Sequence, residues 1–168
     1  MTAQIILIEG ADGTGKTTFV RQMAQFHLDG GTPVPRVIHN DATDHLLPGS
    51  LYRHYRAQLL DAIAFREQGI TTYIDRSFLS ELIYGGLYRQ SSRVSAREVR
   101  RLERFARKND IILFGITADL DVRRSRIKAR GETWDRHQPF VGAFYSQHFR
   151  DRGQYWITAD STSASVLN

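Results

Sequence analysis

The chain has 168 residues, 41% of them hydrophobic, and only four prolines, which suits one compact domain and is too short for two full cores. It contains no cysteine, which excludes disulfides and thiolate metal sites, and its longest apolar runs, Ile5–Ile8 and Ile111–Phe114, fall far below a membrane span. A net charge of +5 and a pI near 9.8, carried almost wholly by arginine, admit anionic ligands, although the location of the charge matters more than its sum.

The first element is a strand over Gln4–Glu9. No basic region precedes it, so the N-terminus does not resemble a signal peptide, and the chain is expected to be soluble and cytoplasmic. The strand runs into Gly10-Ala11-Asp12-Gly13-Thr14-Gly15-Lys16-Thr17, which fits the phosphate-loop pattern G-x-x-x-x-G-K-[ST] at every position. Phe19, Val20, Met23, Ala24 and Phe26 then recur at helical spacing. Glycines at 10, 13 and 15 let the backbone turn tightly and present successive N–H groups to an anion. The helix start near Lys16 adds its partial positive charge to the same spot. Lys16, on an exposed loop, is expected to reach the β- and γ-phosphates of a nucleoside triphosphate, and the Thr17 hydroxyl to ligate Mg²⁺. Thr18 is assigned to local helix hydrogen bonding.

Further along, strands are predicted over Val34–His39, Thr71–Asp75, Ile111–Ile116 and Tyr155–Thr158. Helices are predicted over Leu51–Gln68, Ser95–Lys108, Asp119–Arg130 and roughly Gln138–Arg152. Ser95-Ala96-Arg97-Glu98 is a capping box. Strands alternating with helices indicate a three-layer α/β fold with a parallel sheet, read as a single domain over 1–168. Ser161–Asn168 reads as a weakly ordered tail or a short terminal helix.

Two further segments carry chemistry. The strand Thr71–Asp75 ends in Asp75-Arg76 and passes into a helix. In an open α/β sheet, ligands sit beyond the carboxyl ends of strands, so both residues are expected to face the phosphate loop. Asp75 would organise Mg²⁺ or accept a hydroxyl proton, and Arg76 would bind phosphate. Taken alone, Arg76 also fits a surface ion pair. The basic stretch Arg123–Arg136 looks like a lid, at about 126–137, which brings Arg126, Arg130 and Arg136 over the phosphates. Arg123, Arg124 and Lys128 are expected on the solvated surface.

These segments together resemble the thymidylate kinases. IEGADGTGKTT is similar to that family's FEGxDGxGKTT. DRSFLSELIY follows DRYxxSxxAY at Asp75, Arg76, Ser80 and Tyr84, and ARGETWDR resembles the lid segment. The resemblance implies a five-stranded P-loop nucleotide-kinase fold, ATP with Mg²⁺ as donor, and a deoxythymidine-like acceptor. It also implies that Asp12 contacts the acceptor sugar and that Ser80 and Tyr84 line the base pocket. A homodimer is a further expectation.

The departures bear on the acceptor. The family's Arg-Glu-Pro-Gly motif after the second strand is replaced by Val37-Ile38-His39-Asn40-Asp41-Ala42-Thr43-Asp44-His45, with no arginine and with two carboxylates where a dianionic monophosphate would sit. Ser77 stands where the pattern has tyrosine and Gly85 where it has glutamine, and both are expected to open the pocket. The wording DRSxLSELxYG is similar to the phage 5-hydroxymethyldeoxyuridine DNA kinases. That resemblance implies an acceptor already within DNA, thymidine hypermodification that evades host restriction, and a host-cytoplasmic location. The alternative acceptor is free dTMP or a related nucleotide. Arg89–Lys108 holds eight basic residues against Glu98 and Glu103. Arg97, Arg100, Arg101, Arg104, Arg107 and Lys108 form a stripe suited to a phosphate backbone, and equally an ordinary solvated helix face. Histidines 27, 39, 45, 54, 137 and 148 show no metal spacing and are assigned no role. Trp134 and Trp156 read mainly as packing residues.

Overall fold

The computed structural model describes residues 2–40 and 51–163. Its elements in chain order are β1 (Ile5–Glu9), α1 (Lys16–Asp29), β2 (Arg36–His39), α2 (Leu51–Glu67), β3 (Thr72–Asp75), α3 (Phe78–Tyr88), α4 (Ala96–Lys108), β4 (Ile112–Thr117), α5 (Leu120–Ala129), α6 (Gln138–Asp151) and β5 (Trp156–Asp160), with two helices in succession before β4 and again before β5. All strand pairs are parallel, in the order β2-β3-β1-β4-β5. The sheet is five-stranded with helices on both faces, a three-layer α/β fold.

Strand β1 is central and buried throughout, which explains its unbroken apolar run. Alternation along it divides the core. Ile5 and Leu7 face the cluster formed with α2, α3, α4 and α6, while Ile6 and Ile8 face Val20 and Phe19 of α1. Strand β2 begins two residues later than its apolar run, after Pro35, because proline has no N–H for the ladder. The capping box of α4 is present: Ser95 Oγ accepts from Glu98 N at 3.3 Å and Glu98 Oε2 accepts from Ser95 N at 2.8 Å.

The segment Asp41–His45, within the replacement of the Arg-Glu-Pro-Gly motif, lies outside the described residues, as does most of the expected tail. Among the described residues, no helix is long and apolar enough to cross a membrane.

Glu103, one of the two acids among the basic residues of α4, turns inward. It is completely buried. Its carboxylate accepts from Trp156 Nε1 at 2.8 Å and from Arg152 Nε and Nη2 at 2.9 and 2.8 Å, and it meets His148 Nε2 at 2.7 Å. One side chain thus ties α4 to α6 and β5. Trp156 packs as expected, and the remaining cations of the α4 stripe, from Arg97 to Lys108, are exposed.

Candidate active site

The carboxyl ends of β1, β2 and β3 open into a cavity of about 570 Å³, a size suited to a nucleotide-sized ligand. Its floor is the phosphate loop. Asp12, Gly13, Gly15, Lys16 and Thr17 line it, whereas Gly10, Ala11 and Thr14 form the base of the loop. The loop packs tightly: a Cβ on Gly10 would fall 2.3 Å from Ile116 O, and one on Gly13 2.7 Å from Arg123 O. Gly13 and Gly15 have φ of 80° and 92°, the left-handed region that glycine tolerates.

Lys16 differs from its expected exposure, being buried. Its ammonium donates to Gly10 O at 2.8 Å and Ala11 O at 2.9 Å, which uses two of its three hydrogens. Burial and the Arg76 cation push Lys16 down to about 7, although Asp12, Asp75 and Glu9 oppose the shift. Thr17 is exposed on the cavity wall, and Thr18 lines the same wall.

Asp75 and Arg76 come to this cavity from the end of β3. Asp75 is buried, its Oδ2 lies 3.0 Å from His39 Nδ1, and its Oδ1 is buried with no hydrogen-bond partner. A carboxylate oxygen left this way is costly unless a cation or a hydroxyl satisfies it. Arg76 has φ of 66°, unusual for a side chain this large. The turn is held from two sides. Asn40 Nδ2 donates to Arg76 O at 2.7 Å. The fully buried Glu9 accepts from Ser77 N at 2.8 Å, Ser80 N at 3.2 Å, Ser80 Oγ at 2.6 Å and Tyr145 OH at 3.0 Å. Burial raises the Glu9 carboxyl above the ordinary range despite these donors.

The turn aims the Arg76 guanidinium at Asp12, with which it forms an ion pair, and over the Tyr84 ring at 5.2 Å. Asp12 Oδ2 also accepts from Tyr84 OH at 2.9 Å and Gln138 Nε2 at 3.1 Å. Burial works against the Asp12 charge, but Arg76 and Lys16 outweigh it and bring the carboxyl down to about 2. Asp12, Ser80 and Tyr84 all line the cavity, but Asp12 is already held by three side chains and Ser80 is engaged with Glu9.

The lid arginines separate. Arg130 lines the cavity and pairs with Glu132 through two contacts of 2.8 Å. Arg136 lies outside it, its Nε 3.3 Å from His137 Nε2. Arg126 reaches around the loop instead, to Gly13 O at 3.2 Å and Ser161 O at 2.8 Å. Arg123 overturns its expected surface position, since it is buried and donates to Asp12 O at 2.9 Å and to Gln138 O and Oε1 at 3.0 and 2.9 Å. Its guanidinium lies 5.6 Å from the Trp134 ring, and a Cβ on Gly142 would strike it at 2.0 Å. Short spacing within a basic helix gave no hint of this inward turn. Gly85 likewise differs from expectation. The space left by its missing side chain is taken by Arg89 and Glu81, whose 2.5 Å pair would lie 2.9 and 3.0 Å from an added Cβ.

No family model matches the chain, and no curated protein matches it. Among solved structures it is similar to the YorR protein of Bacillus subtilis, solved in complex with phosphorylated GDP. The identity is 20% and the TM-score 0.73, over 96% of this chain and 88% of that one. It is similar to a thymidylate kinase from Ehrlichia chaffeensis (17% identity, TM-score 0.56, over 100% and 92% of the two chains). A deoxyadenosine kinase from M. mycoides, with the products dCMP and dCDP bound, is also similar (15% identity, TM-score 0.53, over 94% and 90%). At these identities the likeness is one of architecture. The chain has the fold of the P-loop nucleotide kinases.

Proposed function

We propose that the protein is an ATP- and Mg²⁺-dependent phosphotransferase acting on a hydroxyl of a deoxythymidine-like acceptor. The observation that carries this reading is the convergence of Lys16, Thr17, Asp75 and Arg76 on one cavity. A passive nucleotide binder needs the loop alone. The glycine loop fits a polyphosphate, and the unpartnered Asp75 Oδ1, in the cavity that Thr17 also lines, fits a divalent ion or the acceptor hydroxyl. ATP with Mg²⁺ would supply the phosphoryl group and the counter-charge on its oxygens. Lys16 would direct its remaining hydrogen at that group. Asp75, oriented by His39, would hold the ion or take the hydroxyl proton, and Arg76 and Arg130 would offset charge on the transferred group.

For the acceptor, we favour the hydroxymethyl group of 5-hydroxymethyldeoxyuridine within DNA, a step in thymidine hypermodification. An Asp12 carboxylate facing an esterified 3′-oxygen would repel it unless a cation intervened. The Arg76–Asp12 pair supplies that cation. The exposed cations of α4 add a surface for the strand. A free nucleotide is the second reading, favoured by the nucleotides bound in the YorR and M. mycoides structures.

The test offers labelled ATP with hydroxymethyluracil-containing DNA, unmodified DNA and free dTMP in parallel. Label on the modified DNA alone is expected. Label on dTMP alone would remove the DNA reading but keep the kinase, and no ATP consumption with any acceptor would remove both.

A further inference from the structure

Aromatic side chains continue outward from the cavity. Tyr84, on the cavity wall, stacks on Tyr88 with centroids 5.8 Å apart and planes at 17°. Tyr88 in turn meets the His137 ring at 4.9 Å. Asp135 fixes that contact, accepting from Tyr88 OH at 2.6 Å and from the His137 backbone N–H at 2.6 Å. From His137, at the start of α6, the row passes to Phe140 and Phe144, three and seven residues on and so on one helix face. Tyr88, Phe140 and Phe144 are 43%, 57% and 52% exposed. Large exposed apolar rings on one helix face, following in sequence from rings that contact the cavity wall, mark a contact surface.

The charge beside the row selects the partner. Arg136 precedes His137 and is exposed, as is Lys128. Nearby, Glu132 is balanced by Arg130, and Asp135 is turned toward the Tyr88 hydroxyl and the His137 N–H. A ligand with flat apolar faces and a negative backbone satisfies both features, and unpaired nucleotides are such a ligand. A second copy of the chain would instead bring the same cations against these.

Resting on the DNA reading above, we propose that Tyr88, His137, Phe140 and Phe144 form a stacking platform for bases that flank the acceptor nucleotide. A nucleotide drawn into the cavity leaves its stack, and its neighbours lose one partner face. Exposed rings restore that contact without reading sequence, while Arg136 meets the adjoining phosphate.

The test compares two acceptors, a short single-stranded oligonucleotide with one 5-hydroxymethyldeoxyuridine and the free 5-hydroxymethyldeoxyuridine nucleoside. Phe140→Ala combined with Phe144→Ala should lower kcat/KM on the oligonucleotide by about tenfold or more and leave the nucleoside value unchanged. Phe140→Trp, which keeps a ring, should retain activity on the oligonucleotide, whereas Phe140→Leu should not. Binding alone gives a second readout: 2-aminopurine beside the acceptor should be quenched by the wild-type protein and less by Phe140→Leu. Equal loss on both acceptors, or no loss of either transfer or quenching with the oligonucleotide, overturns the platform. So does a double variant that sediments as a monomer where the wild type is a dimer. Wild-type protein that labels only free nucleotides fails the DNA reading itself, and that result is seen before any variant is made.

Discussion

His39 and Asp75 are register partners at the carboxyl ends of β2 and β3, and their side chains meet, Nδ1 to Oδ2, at 3.0 Å. The contact fixes one carboxylate oxygen and leaves the other, Oδ1, without a partner in the cavity wall. Asp75→Asn keeps the shape and removes the charge. It should lower kcat by roughly 10²-fold, within the range for positioned acid–base groups. His39→Ala removes the orienting contact and should cost about tenfold, as loss of an outer-shell partner does. Steady-state kinetics on both variants tests the ranking. If His39→Ala were as damaging as Asp75→Asn, the histidine would be acting directly.

Lys16 carries a pH signature. Its ammonium is pushed from an ordinary 10.5 to about 7, first by burial and then by Arg76. Between those two values the folded chain binds fewer protons than the unfolded one, so this residue makes stability rise with pH across that window. Below it, lysine is charged in both states and its burial penalty stands in full. A polyphosphate beside Lys16 restores the charge. Nucleotide binding near pH 8.5 should therefore take up about one proton, and much less near pH 6. Titration calorimetry in buffers of different ionisation enthalpy measures this directly. No uptake at the higher pH would mean that the lysine is already charged in the free protein.

Arg76 holds a left-handed backbone, φ 66°, which costs a residue with a Cβ about 1 kcal/mol or more. Arg76→Ala and Arg76→Gly both lose the guanidinium and its pairing with Asp12, and both should abolish most transfer. They differ in strain alone. The glycine variant should be the more stable by about 1 kcal/mol, the reverse of the ordinary alanine preference. Denaturant titration of the two proteins decides it. Equal stability would mean that the turn relaxes once the arginine is gone.

Much of the architecture was legible in the sequence because local signals agreed. The apolar run into the glycine loop and the capping box at Ser95 each name their own conformation, and the Asp-Arg pair marks a strand end. What stayed hidden depends on which elements become neighbours. His39 looked idle because one sequence does not reveal that β2 lies beside β3. Arg123 looked like one cation among several in a basic helix, yet α6 closes over it at Gly142. Glu9 read as the end of a strand, and its four donors arrive from α3 and α6. The pull of Arg76 on Asp12 also needs the positive φ that nothing in the residue type signals.

Glu103 offers a test remote from transfer. It is fully buried in α4 and holds His148, Arg152 and Trp156, the last at the start of β5. The cavity opens at the other ends of the strands. Burial works against the Glu103 charge, but hydrogen bonds from His148, Trp156 and Arg152 outweigh it and hold the carboxyl below its usual value of 4.5. The folded pKa is thus the lower one. Its contribution to stability is present above the unfolded value and is lost as pH falls through the folded one. Glu103→Ala leaves the buried ends of its partners uncompensated and should destabilise the fold by about 3 kcal/mol near neutral pH. The gap between wild type and variant should narrow as the solution is acidified below about pH 4.5. Transfer by the protein that remains folded should match wild type. Denaturant curves at neutral and acid pH, with activity measured below the transition, separate the outcomes. A gap that stays constant with pH would mean that Glu103 contributes packing and not charge.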